Sequence, residues 1–300
     1  MTISAKIIAY SKNSFGQSIV TWELEYPRFI HGEFMTHRLF SRNAASSRAI
    51  PVKSMIQAIK DNPAMPIHWG KNQSGMQANE QLTGVELEAV KDFWLRAADE
   101  ATEIAGYMSY AGAHKQIVNR ILEPFQTMKT VMTATCLDNF FWLRNHEDAQ
   151  PEIKELARLM WEALQGEEAA LLSPGDWHVP YFGEGYWLKG CGIPLEDALA
   201  ISASCCAQVS YRKLDDTLEK AHIVFQRLVD SKPVHASPFE HQATPIMVPE
   251  LYCHDCQSPP TWEKGVTHVD RNGNFWSGNF IGFIQHRQLL DDHTCWEYKG

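Results

Sequence analysis

The chain has 300 residues, 44% of them apolar, enough to bury a substantial core in one large domain or two small ones. Lys and Arg number 27 against 36 Asp and Glu, a formal net charge of −9, which disfavours a binder of nucleic acid polymer because such a binder needs a basic face. No run of about 20 apolar residues occurs, so no membrane span is expected, and the opening MTISAKIIAYSKNS has no signal-peptide cleavage pattern. The seven scattered Cys form no disulfide framework and fit a reducing, cytoplasmic setting.

In chain order, residues 19–26 alternate: Val20, Trp22, Leu24 and Tyr26 face one way, Thr21, Glu23 and Glu25 the other, which predicts a half-buried strand that Pro27 ends. A short helix is expected over 29–39, then a polar stretch, SRNAASSR. Residues 65–78, rich in Gly and polar groups, read as a loop. Helical spacing over 85–107 (Leu87, Val90, Phe93, Trp94, Ala97, Ala101) predicts a long helix, and further helices are expected over 114–122, stopped by Pro124, and 130–143, with Cys136, Phe140 and Leu143 on one face. Pro151 opens another helix, to about 172. The Gly-, Pro- and aromatic-rich stretch 173–194 is the best candidate for an internal boundary, and divides the chain into residues 1–172 and 173–300. Helices follow over 195–209 and 215–230. Residues 243–248 suggest a short strand that Pro245 confines to a sheet edge, and 279–289 is ambiguous. The fold class is α+β, with helices dominant.

Three segments carry chemistry. Residues 36–48, THRLFSRNAASSR, hold Arg38, Arg42 and Arg48, whose forked guanidiniums match a phosphate, with Ser41, Ser46 and Ser47 as hydroxyl donors; a solvated polar loop would look similar. Residues 135–153 place Asn139 and Arg144 on an otherwise apolar helix, where Arg144 at the C-terminal end would also suit the helix dipole. Residues 234–247 set His235 and His241 around Ser-Pro-Phe-Glu; no third ligand is near, so no metal is expected there. Cys253 and Cys256 have C-x-x-C spacing, yet a zinc site would need two more ligands. The loop around His68–Gln77 is a candidate substrate loop, or an ordered surface loop.

These segments resemble the flavin-dependent thymidylate synthases. The family's RHRxxSxNxxSxR reads here Thr36-His37-Arg38, Ser41, Asn43, Ser46 and Arg48. Asn139, Phe140, Leu143, Arg144, Ala149, Gln150, Glu152 and Ile153 match its paired-helix motif, and Arg120 its Arg before a Leu-Pro break. Ser237, Pro238, Phe239, Glu240 and His241 resemble its S-P-F-E-H, and Cys206 to Tyr211 its A-A-R-V-S-Y. The last two motifs precede the first in the family and follow it here, which implies a circular permutation. Thr36, Ala44 and Glu33 depart from the family's Arg, Glu and Gln.

The resemblance implies a helix-rich thymidylate synthase-complementing-protein-like fold with a central antiparallel sheet, in which residues 173–300 complete the FAD-binding unit begun by 1–172. It implies FAD as cofactor, with NADPH and methylenetetrahydrofolate as co-substrates, and methylation of dUMP at C5. Arg144 and Ser46 would be catalytic; Glu33, Ser46, Arg48, Arg120 and Arg144 would bind the nucleotide; His37, Arg38, Asn139, Ser210, Ser237 and Glu240 would contact FAD. A homotetramer with sites shared between subunits is implied. Hydroxymethylation, a different pyrimidine nucleotide, or an inactive flavin- or nucleotide-binding protein are the alternatives.

Overall fold

Strands β1 (Ser4–Asn13) and β2 (Ser18–Pro27) form an antiparallel hairpin, with Ser4 opposite Glu25 and Lys12 opposite Ser18. The computed structural model describes residues 3–210, 214–247 and 262–298. Beyond Pro27 the chain makes one 3-10 turn and a four-residue helix, α1 (His31–Phe34), so the helix expected over 29–39 stops early. The polar stretch that follows contains a strand, β3 (Ser41–Ala44), whose Ser41 and Ala44 pair with Thr133 and Thr130. Their partners lie on β4 (Thr127–Ala134), which replaces the first half of the helix expected over 130–143. Thr127, Thr130, Val131 and Thr133 are β-branched, stiff at χ1 and better accommodated on a pleated sheet than in a helix. With β5 (Ala170–Leu172), parallel to β1, the sheet order is β3-β4-β2-β1-β5.

One face of this sheet is the main core. Val20, Trp22, Leu24 and Tyr26 pack with Met128 and Met132 against α5 (Asp138–Arg144) and α6 (Pro151–Leu164), burying Phe140, Phe141, Ile153, Leu156, Ala157 and Met160. Leu143, expected on the inner face, is exposed, and Cys136 lies in the β4–α5 connection, half-buried, rather than in a helix. Helix α6 is capped by the Gln150 side chain, which accepts from the amides of Glu152 and Ile153, and has Pro151 where an N–H is dispensable. It ends at Leu164, and Gly166 in the left-handed region turns the chain towards β5.

A second core joins α2 (Val52–Asp61), α3 (Gly84–Tyr110) and α4 (Lys115–Val118) through Met55, Ile59, Ala98, Ala105, Val118 and Leu122. The stripe expected from Leu87 to Trp94 is not core; the buried face of α3 is Ala98, Thr102 and Ala105, towards its C-terminal end. Among the described residues no helix is long and apolar enough to cross a membrane.

Residues 173–194, expected as a boundary, are packed: Trp177 and Val179 are buried, and β6 (Trp177–His178) pairs with β7 (Tyr186–Trp187). Helices α7 (Leu195–Ala207) and α8 (Leu218–Asp230) follow as expected. Strand β8 (Ala243–Pro245) is interior to a sheet of order β12-β8-β6-β7, not at its edge. It tolerates Pro245 because Ile246 N donates to Gly282 O on the β12 side, so the alternate position faces β6, which pairs only at Ala243. Strands β9 (His268–Val269) and β10 (Phe275–Ser277) come next, and the ambiguous segment 279–289 resolves into β11 (Phe280–Ile281), β12 (Phe283–Gln285) and a 3-10 turn. Gly282, at φ +73°, meets the β1–β2 turn; a Cβ there would strike Gln17 and Asn13, whose amide donates to Gly282 O at 3.2 Å.

These C-terminal elements cover the other face of β2. A chain of buried polar groups crosses it: Ser11 Oγ to His178 Nδ1 (2.9 Å), His178 Nε2 to Thr21 Oγ1 (2.8 Å), Thr21 to Thr133 (2.7 Å), and Thr133 to His241 Nδ1 (2.8 Å). Beside it Tyr181 donates to Glu23. Burial lowers the pKa of His178 and His241 to about 3, so both rings are neutral.

Candidate active site

The first group of site residues forms where α1 meets the end of α5. Phe34 is sunk in the core, so the turn after it brings His37 against Phe40 and edge-on to Phe140, with ring centroids 4.9 Å apart in the latter pair. His37 is buried, and its pKa falls to about 4 through desolvation first and then the nearby Arg144 and Arg42. A neutral ring has one acceptor nitrogen. Arg144 Nε donates to His37 Nε2 at 3.0 Å, and Arg144 Nη1 pairs with Glu33 Oε2 at 3.3 Å. The side chain of Arg144 is therefore held in a specific network, beyond any general effect on the helix dipole.

Arg144 and Glu33 open onto a cleft of about 1340 Å³, also lined by Phe29, Met76, Trp142 and Asp148. One wall is the irregular loop around His68–Gln77, a loop as its composition predicts. Buried Glu152 anchors it by accepting from Ile67 N at 2.7 Å, and Gln77 Nε2 reaches Asp148 O at 3.2 Å.

A second group lies past the far end of β3. Glu123 gathers Ser47 Oγ (2.8 Å), Arg120 Nη1 (2.9 Å) and Arg28 Nη2 (3.0 Å). The Asn119 amide donates to Ser47 O and Ile50 O, fixing the backbone that carries Ser46 and Arg48. Arg48 is exposed and forms no hydrogen bond or ion pair among the described residues; the same holds for Arg38. No bond joins Arg120 or Arg48 to Arg144 within the described residues.

The third group lies beside β3. The turn Ser237–Glu240 buries Pro238 and Phe239. Gln285 Nε2 donates both to Ser41 Oγ (3.1 Å) and to Glu240 O (3.2 Å), and the Glu240 carboxylate pairs with Arg287. On the other flank Asn43 Nδ2 donates to Cys206 O at 3.3 Å. Arg42 donates to Phe34 O at 2.8 Å; burial lowers its pKa, while Tyr26 and Glu240 act in the opposite sense. The S-P-F-E-H turn and the strand of the first motif are thus neighbours, though about 200 residues separate them in sequence. Asn139 is exposed on the first turn of α5, whereas His241 is buried and taken up by Thr133. The Ser210 side chain, Tyr211 and the Cys253/Cys256 pair lie outside the described residues.

Sequence reasoning missed Arg28, Glu123, Asn279, Gln285 and Arg287. Arg28 and Glu123 carry no motif. Gln285 and Arg287 had a usable signal: polar residues interrupting the apolar run IGFIQHRQLL.

Two solved structures of a UMP/dUMP methylase, PolB from Streptomyces cacaoi, bound with 5-Br dUMP and with 5-Br UMP, are similar to the chain. Their TM-scores are 0.46 and 0.45 at 16% and 17% identity, covering 54% of this chain and 89% and 88% of theirs. No curated protein sequence matches. A family model described as "Thymidylate synthase complementing protein" matches residues 6–167, more than half of the chain. The chain therefore belongs to that family, the flavin-dependent thymidylate synthases that its motifs resemble.

Proposed function

We propose that the chain is an FAD-dependent thymidylate synthase that methylates dUMP at C5, taking the carbon from methylenetetrahydrofolate and reducing equivalents from NADPH. The observation that carries this reading is the Glu33–Arg144–His37 network at the mouth of a large cleft. The residues suit a flavin. Exposed Arg38 and Arg48 are unpaired cations for phosphate groups, and Asn43 Oδ1, Gln242 Oε1 and Arg287 Nε are buried polar atoms without partners around the Ser237–Glu240 turn. His37, Arg38, Asn139, Ser210, Ser237 and Glu240 would hold FAD, which when bound supplies hydride chemistry.

The chain's own contribution is positioning and charge. With Nε on His37 and Nη1 on Glu33, Arg144 keeps Nη2 for a carbonyl oxygen of the pyrimidine. A cation there stabilises negative charge developing on the ring oxygen and makes C5 more nucleophilic. His37, kept neutral, fixes the guanidinium plane without competing for that charge. Ser46, Arg48 and Arg120 would bind the nucleotide phosphate. Exposed Phe93, Ile104 and Tyr107 on α3 support a homotetramer, and its sites would draw on two copies. The contacts of Ser41, Asn43 and Arg42 with 206, 240 and 279–287 support residues 173–300 as the permuted part of one catalytic unit.

Arg144→Ala is the test. Bound flavin should persist, seen as the yellow absorbance of the purified protein, while turnover of dUMP falls at least 100-fold, on the order of one lost transition-state donor. Retained turnover overturns the role. A second reading is favoured by Thr36, Ala44 and Glu33: another pyrimidine nucleotide, or hydroxymethylation. Mass spectrometry of products from dUMP, UMP and dCMP separates these. Both Arg120 and Arg144 are present, which argues against an inactive binding protein.

A further inference from the structure

Residues 279–287 lie outside the family match and carry none of the recognised motifs, yet they bond to Leu39, Ser41, Thr135 and Glu240. Asn279 Nδ2 donates to Leu39 O at 3.0 Å, and Ile281 N to Thr135 Oγ1 at 3.0 Å. Gln285 Nε2 reaches Ser41, Glu240 and Asn279 Oδ1 (2.9 Å). Arg287 Nη1 pairs with Glu240 Oε1, and Nη2 donates to His293 O at 3.2 Å.

We infer that Arg287 is a positioning residue of the cofactor site: its guanidinium fixes the Glu240 carboxylate so that the second oxygen, Oε2, faces the ligand. The inference rests on the flavin reading above. Three observations carry it. The pair is largely sequestered, with side-chain exposures of 31% for Arg287 and 20% for Glu240, so it is screened less than a surface pair. Its contact is through one carboxylate oxygen, which leaves the other able to accept. Glu240 also acts electrostatically on Arg42, so without Arg287 the carboxylate has a competing cation to turn towards. A charge-assisted bond sets direction as well as energy, and a carboxylate held between two guanidiniums has its orientation decided by the one that bonds it.

The experiment is FAD binding to apoprotein, followed by fluorescence quenching and by the visible spectrum of the bound flavin, for wild type, Arg287→Ala, Glu240→Gln and the double variant. Arg287→Ala should raise the FAD Kd about tenfold and shift the flavin band. Glu240→Gln should do the same, and the double variant should be no worse than either alone, because the two residues act as one unit. A merely structural role would lower the melting temperature of the apoprotein without moving the band. Arg287→Lys, which keeps the cation but not the fork, should fall between wild type and Arg287→Ala. Wild-type affinity and spectrum in Arg287→Ala, or losses that add in the double variant, overturn the inference while leaving the flavin reading intact. If Arg287→Ala does not fold, wild-type FAD binding in both Glu240→Gln and Arg287→Lys overturns it. Wild-type protein that takes up no FAD overturns the flavin reading, and this inference with it.

Discussion

The two faces of β2 are both buried, but by different physics. On one, Trp22, Leu24 and Tyr26 pack into an apolar core with α5 and α6, where burial itself is the driving force. On the other, Thr21 sits in a chain of hydroxyls and imidazoles from Ser11 to His241, and Glu23 accepts from Tyr181. The first face tolerates any well-shaped apolar neighbour; the second requires each partner, because a buried polar group left alone is costly. An apolar face therefore announces itself in one strand's sequence, whereas a polar buried face is visible only once its partners from elsewhere in the chain are in place.

Variants test this contrast. Trp22→Ala, at a fully buried position, should cost about 3–5 kcal/mol and give the largest drop in melting temperature. His178→Ala should cost about 1–3 kcal/mol by removing the bonds to Ser11 and Thr21, with the loss seen in denaturant titration. Tyr181→Phe removes one bond to Glu23 and should cost only about 0.5–1.5 kcal/mol. The polar face should also show itself in pH dependence. His178 and His241 have folded pKa values of about 3, below the ordinary 6.5, so the unfolded chain binds protons first on acidification. Their contribution is intact above pH 6.5 and is lost progressively down to about pH 3. A His241→Gln protein should lose stability less steeply over that window; an unchanged slope would remove His241 from the account. Arg38→Ala, which has no partner to lose, should leave the melting temperature of the apoprotein unmoved while weakening FAD binding.

Much of this could be read beforehand, and the misses have physical reasons. The alternation of residues 19–26 identified β2 because one face is strongly apolar. Residues 130–134 read as the start of a helix because β4 is buried on both faces and its short apolar run has no clear period; Thr130, Val131 and Thr133 were the discriminating residues. The segment 173–194 looked like a boundary because Gly and Pro serve tight turns as well as linkers, and here they carry Trp177 and Val179 into a core. The motifs singled out Arg144, His37 and Glu240 by type and spacing. What they did not give was the pairing: that Arg144 lies on neutral His37 and on Glu33, or that Glu240 is gripped by Arg287. Those contacts join residues tens to hundreds of positions apart, and single-residue chemistry does not encode them.

The distance in sequence between β3 and the strands that bond to it has a consequence for synthesis of the protein. Ser41 meets Asn279 across 238 positions. A nascent chain that has already produced the Arg38 and Arg144 segments still lacks the partners of Ser41, and closing so long a loop is entropically costly and slow. The contacts that Ser41 and Glu240 make with Asn279, Gln285 and Arg287 can therefore form only after residue 287 has left the ribosome, and a chain truncated upstream of it lacks them.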